Sequence, residues 1–369
     1  MREKIKAVVI VQATPMNRDG SIDFEGLKSN TQFLLERSSG KRVVLVPTGS
    51  TGEAYALSDA ERLKVIETVI QTAAGRLPVV AGTAKAGTEL TIELSRSAEK
   101  AGADGVQIVL PYYHVPSEDG LYRHFASIGD ALSIGVMIYN NPLVSKLWIP
   151  PALMARCAEH PNIVADKEST SDVTLYKAMR DAVDPAKMTI LCGPGELLFA
   201  YEAALGCPGF VTWTANFAPQ LSIDLLEAAD SCDFARVREV AAKTGRLYEF
   251  AGICSRNRGR DPWLLTGFSA GHIYVGILKA AMEMLGLAGG PVRGPSDDLT
   301  GDERKLLRGI LKEIGLLQAR ERRTGVPANS DVADRPRTAF LSSIPRRARF
   351  PGDSCVCLRG IPEPGGPSA

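Results

Sequence analysis

The sequence predicts an α/β protein: a parallel (β/α)8 TIM barrel, a C-terminal helical subdomain and a disordered tail. Short β-branched runs alternate with stretches of helical period, and the alternation persists for about eight cycles. After Asp230 only helical periodicity continues. No Gly-x-Gly-x-x-Gly turn follows the first apolar run, which counts against the dinucleotide-binding form of an open, doubly wound sheet. The expected organisation is a catalytic barrel over residues 1–230, a helical subdomain over 231–319 and an Arg/Pro/Gly-rich tail over 320–369.

The first strand is expected over residues 7–13, where Val8-Val9-Ile10-Val11 gives way to Gln12, Thr14 and Pro15. The charged start, Met1-Arg2-Glu3-Lys4-Ile5-Lys6, has the look of an export signal, but no small-residue cleavage site follows it, so a strand is the simpler reading. Helical period over 24–36 leads to a second strand at 42–47. The next helix, 58–74, opens with Ser58 three residues ahead of Glu61, a pairing that satisfies orphan backbone donors reciprocally. Strands at 78–82 and 105–110 flank a helix at 88–101. A helix at 120–132, a strand at 135–139, a helix at 150–159 and a strand at 163–167 follow. A helix at 172–182, a strand at 189–192, a helix at 195–205, a strand at 210–214 and a helix at 219–229 complete the cycle. Helical patterns then run over 234–250, 273–285 and 302–317. From Arg320 onward Arg, Pro, Gly and Ser dominate, and such a segment cannot bury enough apolar surface to offset its ordering entropy.

The 369 residues are 45% hydrophobic with a net charge of +1, a balance that suits a soluble globular protein and calls for no nucleic-acid partner. The longest apolar runs, such as 42–47, are strand-sized and far below the roughly 20 residues that span a bilayer, so no membrane partner is expected. Seven scattered cysteines, an odd number, fit a reducing cytoplasm better than a disulfide framework. Cys355-Val356-Cys357 has no nearby His or Cys pair to complete a metal site, and no metal is expected.

In such a barrel the chemistry gathers at the carboxyl ends of the strands. That rule brings together Thr14, the run Gly49-Ser50-Thr51-Gly52-Glu53, Tyr112, Tyr113, Tyr139, Lys167, Gly193, Gly195, Glu196, Thr214 and Asn216. Lys167 is the pivot. A desolvated lysine held neutral attacks a carbonyl, although by position alone an ordinary surface lysine fits as well. One amine, phenols, hydroxyls and glycine-rich backbone suit carbinolamine and imine chemistry. Taken singly, a Gly-Ser-Thr-Gly turn and strand-end tyrosines read equally as a plain loop and as packing residues.

Gly49-Ser50-Thr51-Gly52-Glu53, Pro111-Tyr112-Tyr113, Tyr139-Asn140 and Lys167-Glu168 resemble the signatures of the dihydrodipicolinate synthase and N-acetylneuraminate lyase family, in order and spacing, over residues 7–317. Gly289-Gly290-Pro291-Val292-Arg293 resembles it too, and the tail is not covered. The resemblance implies a class I, Schiff-base-forming aldolase or lyase that takes pyruvate or a related 2-oxo acid, needs no cofactor and assembles as a homotetramer. It implies that Lys167 carries the covalent imine, that Tyr139 moves protons, and that Ser50 relays a proton between Tyr139 and a Tyr113 entering from a neighbouring subunit. The turn at Gly49, with the backbone of Ser50 and Thr51, would receive the carboxylate, because glycine-flanked turns let amide donors converge on an anion. Val144, Gly193, Glu196 and Thr214 complete the substrate-binding set, and Glu53 is expected to hold its loop.

Val144 stands where the synthase branch usually has an arginine for the second substrate's carboxylate, which argues against that branch's activity. Lys146, the nearby cation, lacks a guanidinium's planar two-point grip. Glu196 resembles the sialic acid lyase branch, whose glutamate contacts polyol hydroxyls, but Gly195 replaces that branch's adjacent aspartate. Asp166 replaces an apolar residue, and strand alternation should aim it at the helical layer, away from Lys167. Cys254-Ser255-Arg256-Asn257-Arg258-Gly259-Arg260 differs from the family's connection and reads as a surface loop or a contact for an acidic substrate. The expected activity is a lyase or aldolase joining or cleaving a 2-oxo acid and an aldehyde-type partner. A 2-oxo acid dehydratase or deaminase, dihydrodipicolinate synthase itself, and an inactive barrel that binds a small molecule are the alternatives.

Overall fold

The computed structural model describes residues 1–258 and 273–318. The tail expected over 320–369, with Cys355 and Cys357, lies outside the described residues, as do Gly259 and Arg260. Residues Met1–Ala319 form one compact unit. Its strands are β1 (Val8–Val11), β2 (Val43–Val46), β3 (Val80–Gly82), β4 (Gly105–Val109), β5 (Gly135–Asn140), β6 (Ile163–Glu168), β7 (Thr189–Cys192) and β8 (Phe210–Thr212). Each falls inside the run expected for it, except that β5 and β6 extend one residue further. All pair in parallel in the order β2-β1-β8-β7-β6-β5-β4-β3. The ring closes between β2 and β3 through the bridge Leu45↔Val79 and the Gly82 N–H, which donates to the Pro47 carbonyl.

The helices are α1 (Phe24–Arg37), α2 (Asp59–Ala73), α3 (Thr88–Ala101), α4 (Glu118–Asp130), α5 (Pro142–Ser145), α6 (Pro151–Ala158), α7 (Val173–Ala182), α8 (Glu196–Glu202) and α9 (Pro219–Asp230), then α10 (Phe234–Asn257), α11 (Tyr274–Met284) and α12 (Gly301–Glu313). Side chains fix several starts: Ser58 and Glu61 exchange the two capping hydrogen bonds of α2, and Thr300 and Glu303 those of α12. α10 corrects one expectation. It runs past Phe250 through Cys254 and Arg256, so this part of the expected loop is helix. Arg258 caps that helix and pairs with Glu303 at 2.5 Å, so its guanidinium is already occupied by an internal carboxylate.

Period-2 alternation divides the core. Val9, Val11, Val44, Val46, Met137, Leu191 and Val211 fill the barrel interior, while Val8, Ile10, Val43, Leu45, Ile138 and Ile190 pack against the helices. β6 breaks the alternation. Val136 pairs with Ile163 but Met137 pairs with Ala165, so Val164 is an extra residue on this strand. The bulge changes the parity: Ile163 faces the helices, and Lys167, in register with Tyr139 and Leu191, faces the interior. Asp166, in register with Ile138 and Ile190, faces the helical layer. Helices α10–α12 form an apolar cluster with Leu247, Phe250, Ile277 and Leu307, which Trp213 and Phe217 join from the end of β8. Among the described residues no helix is long and apolar enough to cross a membrane.

Candidate active site

The loop after β2 is strained and tied down. Thr48 and Glu53 are non-glycine residues at φ 55° and 57°, conformations that cost about 1–3 kcal/mol each. Thr48 Oγ1 donates to the Gly82 carbonyl at 2.8 Å, and Thr14 Oγ1 to the Gly52 carbonyl at 2.8 Å. Glu53 accepts from the Arg293 N–H at 2.7 Å and forms a buried ion pair with Lys279 of α11, which also donates to the Pro291 carbonyl at 2.9 Å. Glycine is required at position 49, where a Cβ would stand 2.5 Å from Val11 Cγ1. Thr51 is buried beside this turn and hydrogen-bonds the phenol of Tyr274, whose ring meets Trp213 edge-on at 6.4 Å.

Lys167 is 5% exposed, and its Nζ stands 3.6 Å from the centroid of the Tyr139 ring. Tyr139 is buried, and its hydroxyl accepts from Asn141 Nδ2 at 2.6 Å. Burial alone would push this phenol up. The positive charge of Lys167 and hydrogen bonds with Asn141, Lys167 and Ser50 outweigh burial and leave the phenol below its ordinary value. Behind the strand, Asn140 donates to Glu168 at 2.8 Å and to the Ile149 carbonyl at 3.1 Å. Glu168 also accepts from Trp148 Nε1 at 3.1 Å and from the Thr170 N–H at 2.7 Å. Burial nevertheless raises its carboxyl to about 7. Asp166 is raised well above the usual carboxylate range, first by burial and then by Glu168, and its place on the helical side of β6 keeps it off the face that carries Lys167.

A cavity of about 220 Å³ opens at the mouth, with Gly49, Ser50, Tyr139 and Val144 in its wall. Lys167 is not itself part of that wall; its Nζ lies against the ring of Tyr139, which is. Val144 is 46% exposed and makes an apolar rim, whereas Lys146 is exposed outside the wall. Tyr113 is 77% exposed, packs edge-on against His114 and does not wall the cavity of its own chain. Glu196 and Thr214 are not brought to the cavity either. Glu196 is buried and accepts from Thr212 Oγ1 at 2.5 Å, Ser222 Oγ at 2.7 Å, Tyr248 OH at 3.1 Å and Thr214 Oγ1 at 3.5 Å, which uses its acceptor capacity internally. Gly193 also lies outside the wall: its N–H donates to the Glu168 carbonyl at 2.6 Å, a close strand approach that a side chain would obstruct.

Sequence reasoning missed Gln107 and Arg62 in the wall, and Tyr274 beside Thr51. Gln107 left a faint signal, since alternation with Val109 puts it on the inner face of β4. Arg62 and Tyr274 sit in ordinary helical patterns and left none. Among the described residues no group of three or more His, Cys, Asp or Glu side chains is arranged to hold a metal ion.

Comparison with known proteins finds relatives of this chain. The model of the Dihydrodipicolinate synthetase family matches residues 4–255. A 4-hydroxy-tetrahydrodipicolinate synthase of Gluconacetobacter diazotrophicus is 34% identical over 313 residues, covering 85% of this chain and 98% of the relative. One of Methanoculleus marisnigri is 35% identical over 304 residues, covering 82% of this chain and 97% of the relative. Among solved structures, the chloride-inhibited dihydrodipicolinate synthase from Acinetobacter baumannii complexed with pyruvate matches with a TM-score of 0.74 at 30% identity, covering 85% of this chain and 100% of that one.

Proposed function

The chain belongs to the dihydrodipicolinate synthetase family, and from that premise we propose that Lys167 forms an imine with a 2-oxo acid while Tyr139 moves the protons. The protein is an enzyme, a lyase of the class I aldolase type acting on pyruvate or another 2-oxo acid. The observation that carries the residue assignment is the Lys167 amine 3.6 Å from the Tyr139 ring centroid, beside a phenol shifted below its ordinary value.

One Nζ proton of the Lys167 ammonium passes to the oxygen of an ionised Tyr139, the freed amine adds to the keto carbon, and the carbinolamine loses water to give the imine. The imine serves as electron sink in place of a bound cofactor: loss of a C3 proton gives an enamine that adds to an aldehyde, and the reverse sequence cleaves the bond. A phenol of lowered pKa exchanges protons more readily near neutrality, which suits Tyr139 to each transfer. Ser50, hydrogen-bonded to Tyr139, relays the proton outward. The backbone of the Gly49-Ser50-Thr51 turn receives the carboxylate. Tyr113, exposed on its own chain, enters a neighbouring site within a homotetramer in the cytoplasm.

Borohydride reduction in the presence of pyruvate tests this reading. Mass spectrometry should find the reduced adduct on Lys167, and K167R should abolish it while the protein still folds, because arginine supplies no neutral amine. No adduct with pyruvate or other 2-oxo acids would refute the assignment. A second reading, the synthase reaction, is favoured by the relatives' activity and disfavoured by the apolar Val144 at the rim. Products separate the readings. Pyruvate plus an aldehyde marks aldol cleavage, 4-hydroxy-tetrahydrodipicolinate marks the synthase, and an intact carbon skeleton less water or ammonia marks a dehydratase or deaminase.

A further inference from the structure

We infer that the electrophile joined to the 2-oxo acid is an uncharged aldehyde with an apolar substituent, received by Val144 and its neighbours at the mouth, an inference that rests on the Schiff-base reading above. Beyond Ser50 and Tyr139 the cavity wall runs over Ala54, Ala84, Val109 and Val144 and the rings of Tyr55 and Tyr112. Tyr55, Tyr112 and Val144 are exposed, so hydrocarbon faces water there. An apolar substituent laid on it removes both surfaces from water, which favours binding in proportion to the area covered. In the reaction the enamine carbon adds to the aldehyde carbon, the carbonyl π pair moves to oxygen, and that oxygen takes a proton from Tyr139. Hydrolysis of the imine then frees Lys167 and a 4-hydroxy-2-oxo acid that carries the substituent at C4.

The polar groups of the wall are turned to the protein's own use. Arg62 donates to the carbonyls of Gly82 at 2.8 Å and Ala84 at 3.1 Å; burial works against its charge, and the Asp59 carboxylate answers it. The Tyr55 hydroxyl shares a hydrogen bond with Ser296 Oγ at 3.1 Å. Arg62 Nε and Gln107 Oε1 lack partners, but both atoms are shielded from solvent. Lys146 stands outside the wall, and Glu196, the candidate for a polyol's hydroxyls, is held by Thr212, Ser222 and Tyr248. A carboxylate or a row of hydroxyls on the aldehyde would therefore exchange water for hydrocarbon with little in return. An apolar chain or ring meets no such cost.

The test follows condensation of pyruvate with paired aldehydes of equal length, with the 4-hydroxy-2-oxo acid identified by mass spectrometry and rates referred to the unhydrated aldehyde. From acetaldehyde through propanal to butanal kcat/KM for the aldehyde should rise about fourfold per methylene. Butanal should exceed succinic semialdehyde, and propanal should exceed glyceraldehyde, by about 10- to 100-fold each. V144R sets a cation on the rim and should shrink the ratio of butanal to succinic semialdehyde about tenfold or more. Should V144R not fold, V144S should lower the butanal rate about fourfold or more through lost apolar contact. A flat response to chain length, preference for the charged or hydroxylated partner, a ratio unmoved by V144R, or no condensation at all overturns the inference, while a borohydride-trapped pyruvate adduct on wild-type Lys167 keeps the Schiff-base reading standing. Absence of that adduct overturns both.

Discussion

In the contact between Lys167 and Tyr139 the aromatic face holds the ammonium while the hydroxyl, tied to Asn141 and Ser50, handles protons. Y139F separates the two jobs, because it keeps the ring and loses the hydroxyl. The trapping rate with pyruvate should fall about 10²- to 10⁴-fold with the thermal midpoint nearly unchanged, and a rate like that of the wild type would remove Tyr139 from the proton path. A second residue-scale prediction concerns Glu202 on α8, whose carboxyl burial raises from 4.5 to about 8. The folded state holds this proton until about pH 8, whereas the unfolded chain releases it near 4.5. Stability is therefore lost as pH rises through that window and is recovered on acidification. E202Q removes the penalty. Its gain over the wild type should be negligible near pH 4.5 and on the order of 3–5 kcal/mol above pH 8, read as the difference in melting midpoint across pH; a difference independent of pH would contradict the assignment.

Between elements, the buried Glu53–Lys279 pair couples the strained turn after β2 to α11. K279M leaves the Glu53 carboxylate buried without its cation, a loss of about 3–5 kcal/mol, and it loosens the turn that offers the carboxylate donors. Urea melts and pyruvate trapping should both worsen, and E53Q/K279M should recover part of the lost stability; a double variant no better than K279M would show that the pair is not coupled. The elements themselves were largely legible, since short β-branched runs with helical stretches between them mark all eight strands. The motif at Gly49-Ser50, Tyr139 and Val144 likewise led to the cavity wall. What was not legible depends on parity and on partners distant in sequence. Nothing in Ile163-Val164-Ala165-Asp166 announces the extra residue that turns Lys167 inward. Glu196 and Thr214 sit at strand ends as the motif requires, but hydroxyls from β8, α9 and α10 draw the carboxylate into the interior. Gln107 stayed hidden because one polar residue in a strand carries no motif.

At the scale of the whole molecule, Lys167, Tyr139 and Ser50 meet within one chain, whereas Tyr113 lies exposed at the surface. If Tyr113 completes a neighbour's site, the two defects K167R and Y113F can be divided between subunits. In a pair formed from one variant of each kind, one site combines an intact Lys167 with an intact neighbouring Tyr113, and the other carries both lesions. Unfolding the two inactive variants together and refolding them as a mixture should therefore restore about a quarter of the wild-type sites under random pairing, counted by pyruvate trapping. If Tyr113 served its own chain, mixing would restore nothing. Sedimentation of the same mixture tests the assembly independently: a tetramer with restored sites supports the shared phenol, and a fully active monomer removes both the tetramer and the relay through Tyr113.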